Sequence, residues 1–262
     1  MALIHPRFEA MKLSDTNSDA VLWFLVKLGN LSCIFGAFYI PCDGNESKYH
    51  RKDVFDDISL DILAMRVKYS CPILMLGDAN AHTKKLNDLN NIEPNQLPAE
   101  FALDLFEDVS EAMHVHCSRP RSNYDRIAVN WNGRALIDMC KANNMLLLNG
   151  RAGQDAGVGN YTCFSFNENS NLHEGVSTID YCIASQSIWP WVKDFEIDTF
   201  DRMLSDRHAP VILTLEVPIS GSKPDPPQTA NNADPPSGTP PPIFNTWNPS
   251  IANKMSEKFS QI

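Results

Sequence analysis

The sequence is short of positive charge, and it has no CxxC pair, no cationic leader and no apolar run of membrane-spanning length. Its 262 residues hold 22 lysines and arginines against 32 aspartates and glutamates, a formal net charge of −10. This excess of negative charge argues against a free-standing, sequence-independent DNA binder. It leaves room for an enzyme that cleaves phosphodiesters with a metal ion, because the ion supplies positive charge. Without a leader or a span, we expect an intracellular protein, in the nucleus or the cytoplasm, that does not bind membranes.

The seven cysteines are scattered along the chain and odd in number. Several lie inside apolar runs, which predicts buried, reduced thiols. The stretch His114-Val-His116-Cys117 resembles a metal clip. No second cluster follows at ligand spacing, so polar residues in or beside a loop are the favoured interpretation.

Hydrophobic periodicity predicts helices early in the chain and strands late. A hairpin is expected over residues 19–41, with its turn at Gly29-Asn30. Helices are expected over residues 51–69, 100–115 and 133–142. Further strands are expected over residues 73–76, 145–150, 161–166, 178–185, 192–200 and 209–217. This order favours an α/β sandwich with mixed sheets over a regular doubly wound sheet.

The composition changes at Pro218. Residues 218–243 form a proline-rich linker in this interpretation, because 218–242 hold nine of the 18 prolines and almost no large apolar side chain. The tail 244–262 regains aromatic residues but is too short to make a core. The sequence therefore predicts one folded domain over residues 1–217.

Polar side chains stand at the ends of the predicted strands, where α/β sheets build their sites. These residues are Tyr39, Asp78, Asn80, Asn149, Ser177, Asp180, Ser205, Asp206 and His208. Each has a plain structural explanation when taken alone, such as a turn aspartate, a left-handed Asn80 or a core tyrosine. Together they make a set of complementary chemistry.

Hydrolysis of a phosphodiester needs such a set. A carboxylate must orient or deprotonate water, and Asp78 is the candidate. Asn80, Tyr39 and a protonated His208 are donors for the negative charge that gathers on phosphate oxygens. Asp206 lies near His208 in sequence and is the candidate to fix its tautomer. Mg²⁺ or Mn²⁺ is the expected cofactor, with Asp78 and Asp206 as candidate ligands.

Four of these segments resemble motifs of the endonuclease/exonuclease/phosphatase family, within it the endonuclease domain of non-LTR (LINE-type) retrotransposons. They are FYIPCDG with Tyr39, ILMLGDANAH with Asp78 and Asn80, STIDYCIAS with Ser177 and Asp180, and LSDRHAPV with His208. LLLNGRAGQDAGVGNYT, residues 146–162, resembles a segment common in retroelement nucleases. The resemblance spans residues 1–217 in the family's order. FNTWNPS in the tail resembles the start of a region that leads to reverse transcriptase.

The resemblance implies a four-layer α/β sandwich, with two β-sheets face to face and helices outside. It implies Mg²⁺- or Mn²⁺-dependent cleavage of phosphodiesters, with DNA as the partner that is nicked. Asp78 would activate water or the leaving group, and Asn80 and Tyr39 would hold the phosphate. Asp180 would orient groups in the site, and Asp206 and His208 would form the dyad.

The sequence departs from the family in two places. Nothing before Tyr39 matches the family's first two motifs, an Asn and a metal-binding Glu, and Glu9 and Glu46 are the only glutamates among the first 92 residues. An N-terminally truncated domain that lacks its first strands is therefore expected. Arg207 interrupts the closing Ser-Asp-His motif, so either Asp206 or His208 is displaced. Two alternatives remain: an inactive remnant of the same fold, and a phosphatase that acts on phosphorylated small molecules or lipids.

Overall fold

A computed structural model describes residues 4–5, 8–42, 53–89 and 120–217 of the chain. All of them belong to one compact unit, which spans Met1–Ser220. The predicted helix 100–115, the His114–Cys117 stretch, the linker 218–243 and the tail 244–262 lie outside the described residues.

The centre of the fold is a six-stranded mixed sheet in the spatial order β1-β2-β3-β4-β8-β5. Its strands are β1 (Ala10–Leu13), β2 (Val21–Leu28), β3 (Leu31–Tyr39), β4 (Ile73–Asp78), β5 (Met145–Leu147) and β8 (Asp180–Ser185). β1, β2 and β3 are antiparallel neighbours, and the predicted hairpin turn lies at Gly29, whose φ is +66°. β3 and β4 are parallel, as expected for strands joined by a crossover helix.

Two α-helices cover one face of this sheet. They are α1 (Val54–Tyr69) and α2 (Trp131–Ala142). The predicted apolar stripe of α1, which includes Phe55, Ile58 and Ile62, is buried against the sheet. α2 begins two residues earlier than predicted because the side chain of Asn130 caps it, accepting a hydrogen bond from the Gly133 N–H.

The opposite face of the large sheet packs against a small antiparallel sheet of β9 (Val192–Ile197) and β10 (Val211–Leu215). Phe195 of β9 is fully buried in this second core, beside Leu74 of β4 and Ala184 of β8. A hairpin of β6 (Cys163–Asn167) and β7 (Leu172–Ser177) precedes β8. The predicted α/β class with face-to-face sheets is confirmed. The described residues supply three layers, which are the helices, the large sheet and the small sheet.

The structure also tests the expectation that the cysteines are buried and reduced. Six of the seven cysteines are described and all are free thiols; Cys33, Cys140, Cys163 and Cys182 are buried as predicted, Cys71 is half-buried and Cys42 is exposed. Within the described ranges, no helix is both long and apolar enough to cross a membrane.

Gly77 allows β4, the strand that ends at Asp78, to approach β3 closely. A Cβ atom at this position would overlap the carbonyl group of Phe38 on β3. The residue before Asp78 therefore has to be a glycine if β3 and β4 are to keep their separation, which explains the Gly-Asp pair of the sequence.

Candidate functional site

Three predicted site residues form a row across neighbouring strands. Tyr39 at the end of β3 pairs in register with Asp78 at the end of β4, and Asp78 pairs with Asp180 at the start of β8. Paired residues project to the same face of a sheet. Alternation along each strand places all three on the face that packs against β9 and β10, because Leu74 and Leu76 precede Asp78 at even spacing.

His208 reaches this row from the other sheet. It stands just before β10, in an antiparallel bridge with Cys163, and the Ala209 N–H donates to the Thr162 carbonyl at 2.9 Å. The Ser205 hydroxyl accepts the His208 backbone N–H at 2.9 Å. The backbone around His208 is thus fixed on both sides, and its ring is directed at Asp180.

The His208 ring pairs with Asp180 and not with Asp206. Its Nδ1 atom lies 2.9 Å from Oδ2 and 3.1 Å from Oδ1 of Asp180. Asp206 and Arg207 are both exposed. The predicted Asp206–His208 dyad is therefore corrected: the His208 ring pairs with Asp180, and Asp206 lies on the surface.

Asp78, Asp180 and His208 form a three-residue cluster. One ligand atom from each lies within 4.8 Å of the others. Among the described residues this candidate group holds no glutamate and does not contain Asp206; Asp180 takes the place that the sequence analysis gave to Asp206. Two carboxylates and an imidazole are a donor set that suits a divalent cation.

Asn80 is held next to Asp78 by a tight turn. Its backbone N–H donates to Asp78 Oδ1 at 2.8 Å, and its Nδ2 donates to the Ile40 carbonyl at 2.9 Å. Its φ of +45° is the left-handed conformation that asparagine tolerates. Tyr39 is 60% exposed at the rim of the row. Both side chains are therefore near Asp78, Asn80 by direct contact and Tyr39 by strand register.

The other predicted residues, Asn149, Ser177 and Ser205, hold the backbone around the cluster. Asn149 continues the pairing of β5 with β8, since its Nδ2 donates to the Asp180 carbonyl and its Oδ1 accepts the Cys182 N–H, both at 3.0 Å. Ser177 is buried and its carbonyl accepts the Thr162 N–H at 3.0 Å. Ser205 caps the turn before His208, as described above. Each orients a strand end, and the cluster itself contains none of them.

Burial and like charge set the electrostatics of the cluster. Burial, together with the nearby Asp180 carboxylate, raises the pKa of Asp78 to about 6, although the hydrogen bonds from Asn80 and the His208 ring oppose this rise. The hydrogen bond to Asp180 is the main reason why the pKa of His208 is raised above its ordinary value. A cation between the carboxylates would relieve the repulsion that now favours a proton on Asp78.

Sequence reasoning missed several residues at this end of the sheet. The fully buried Thr162 hydroxyl accepts the N–H groups of Ile179 and Asp180, both at 3.0 Å. A second His–Asp pair joins His82 Nδ1 to the buried Asp125 at 2.7 Å. Each of these contacts joins residues that are at least 17 positions apart in the chain, so the sequence offered no usable signal for them.

Comparison with known proteins found matches among solved structures but none among family models or curated proteins. No protein-family model matches the chain, and no curated protein matches it. Among solved structures, the chain is similar to the endonuclease domain of TRAS1, a telomere-specific non-LTR retrotransposon. The sequence identity is 10% and the TM-score is 0.49, over 82% of this chain and 72% of that domain.

Proposed function

We propose that the chain is a metal-dependent phosphodiester hydrolase that nicks DNA, in the manner of a retrotransposon endonuclease. The observation that carries the proposal is the cluster of Asp78, Asp180 and His208 at the strand ends. Its carboxylates and imidazole are the groups that hydrolysis of a phosphodiester requires. The motif order in the sequence supports DNA as the substrate.

The residues of the cluster have distinct roles in this proposal. Asp78 and Asp180 are the carboxylates that would hold Mg²⁺ or Mn²⁺, and their repulsion supports such a site. The chemistry that the ion supplies when bound is neutralisation of charge on the phosphate and on the departing oxygen. Asp78, ionised above its pKa of about 6, orients the attacking water or takes its proton.

His208 acts as a donor to the phosphate. Asp180 engages its Nδ1 atom, so Nε2 is the ring atom that is left for the substrate. The raised pKa increases the fraction of imidazolium at neutral pH, and the side chain is 38% exposed. Asn80 and Tyr39 complete the set, the first beside Asp78 and the second on the exposed rim, where each can contact the backbone of DNA.

The proposal is tested by the nicking of supercoiled plasmid. We expect the purified chain to convert supercoiled DNA to open circles in Mg²⁺ or Mn²⁺, and EDTA to stop the reaction. Inositol phosphates and a phosphorylated lipid serve as competing substrates. A folded chain that cuts no DNA with either ion would favour the inactive remnant, and release of phosphate from the small molecules would favour the phosphatase.

We also expect metal binding to compete with protons. Below pH about 6 the protonated form of Asp78 dominates, so the affinity for Mn²⁺ falls by about tenfold for each further pH unit, as expected for the displacement of one proton. Electron paramagnetic resonance of free Mn²⁺ between about pH 5 and pH 7 measures this affinity. An affinity that does not change over that range would place the ion away from Asp78.

A further inference from the structure

The start of helix α2 is packed directly onto the turn that carries the candidate site. Asn132, which is fully buried, lies between the exits of β3 and β4. Its Nδ2 atom donates to the carbonyl groups of Pro41 and Ala79, both at 3.1 Å, and the Asn80 carbonyl is 3.4 Å away. Pro41 follows Tyr39 by two residues, and Ala79 stands between Asp78 and Asn80. One amide group thus ties together the two strand ends that bear the site.

Asn130, two residues before Asn132, supports the same turn. Its Nδ2 donates to the Asn80 carbonyl at 2.8 Å. Its Oδ1 accepts the backbone N–H of His82 at 2.9 Å and that of Gly133 at 2.8 Å. The carbonyl of Asn80, whose backbone is in the left-handed region, is therefore held by two side chains from α2 and its cap.

Gly133 shows how closely the helix approaches. A Cβ atom at this position would overlap the carbonyl group of His82. The first turn of α2 and the turn of residues 79–82 are thus in backbone contact, and a small change in either is transmitted to the other.

The Asn132 side chain carries a polar atom that packing does not need. Its Oδ1 is buried and has no hydrogen-bond partner in the part of the chain that the structure describes. An unpaired buried acceptor is unfavourable, and leucine, which has a similar shape, would avoid it. The asparagine is explained by its donor group, which holds backbone carbonyls that leucine cannot bind.

We propose that Asn132 is a positioning residue for catalysis, which sets the separation between Tyr39 and the Asp78–Asn80 turn. The inference rests on the proposed function, because it assigns a role within that reaction. Asn132 acts through the carbonyl groups of Pro41, Ala79 and Asn80, and its hydrogen bonds reach none of the three side chains of the Asp78–Asp180–His208 cluster. Misplacement of reacting groups by about 1 Å can lower a rate by about 100-fold.

The test is Asn132→Leu, with Asn143→Leu as the matched control. Asn143 caps the other end of α2, is also buried, and donates through Nδ2 to Ser59 and Met139, both at 3.0 Å. We expect kcat for plasmid nicking to fall by about 10- to 100-fold in Asn132→Leu, while KM for DNA changes by less than about threefold. The control is expected to keep kcat within about threefold of the wild type, whatever its melting temperature.

Hydrogen–deuterium exchange of residues 78–82 gives a readout that does not depend on activity. We expect faster exchange in this turn for Asn132→Leu and not for Asn143→Leu, with both variants otherwise folded. If the wild type nicks DNA but both variants match it in kcat, the positioning role is overturned and the proposed function stands. If the wild type does not nick, the proposed function fails, and unchanged exchange in the turn would then also overturn the contact role of Asn132.

Discussion

Asp78→Asn is expected to abolish metal-dependent nicking, with a loss in kcat of about 10³-fold or more. The substitution keeps an oxygen for the Asn80 N–H and removes the charge that the metal and the water require. It leaves the strand pairing with Tyr39 and Asp180 in place, because asparagine has the shape of aspartate. Plasmid nicking in Mn²⁺ and Mn²⁺ affinity are the measurements.

The stability of the same variant separates lost chemistry from lost folding. The pKa of Asp78 is raised in the folded chain, from 3.8 to about 6. The folded state therefore binds the proton more tightly than the unfolded state, and this contribution to stability is lost as the pH rises from about 4 through about 6. Asp78→Asn has no such loss, so we expect it to melt no lower than the metal-free wild type at pH about 7.5. Full nicking activity in the folded variant would contradict the assignment of Asp78.

Asp180→Asn is expected to lower kcat by about 100-fold or more, whereas Asp206→Asn changes it by less than about twofold. Asp180 hydrogen-bonds the His208 ring and is the main cause of its raised pKa, and Asp206 is exposed outside the cluster. The pair of variants decides between the partner that the structure gives to His208 and the partner that sequence proximity predicts.

The titration of His208 gives this comparison a second measurement. We expect the His208 pKa, followed by the NMR signals of its ring protons, to fall in Asp180→Asn and to stay in place in Asp206→Asn. His208→Ala identifies the signal among the seven histidines. A larger loss of nicking in Asp206→Asn than in Asp180→Asn would restore the dyad that the sequence suggests.

The sequence predicted the local elements well where periodicity was strong. The stripe of α1, the buried strand before Gly77 and the Gly29-Asn30 turn are all confirmed. β1 was not predicted, because a four-residue edge strand with three exposed side chains has little hydrophobic pattern. The start of α2 was placed late because its cap, Asn130, acts through a side-chain hydrogen bond that composition does not reveal.

The candidate site also has some contacts that the sequence predicted and others that it did not. Asp78 and Asn80 are two residues apart on one turn, so the sequence by itself brought them together. The choice between Asp180 and Asp206 as partner of His208 could not be made from spacing, because Asp206, which is nearer in sequence, lies on the surface, whereas the distant Asp180 contacts the ring. Asn132 contacts the site turn from more than 50 residues away and belonged to no recognised motif.

Sequence alone determined the α/β class and the strand ends that bear polar groups, from which the proposed chemistry was inferred. Hydrophobic periodicity and short-range turns encode these features within a few residues. Only the tertiary structure decided which groups meet. The register of β4 with β8 and the bridge between Cys163 and His208 bring Asp78, Asp180 and His208 into one cluster. These pairings join residues that are far apart in the chain, and long-range packing of the two sheets selects them.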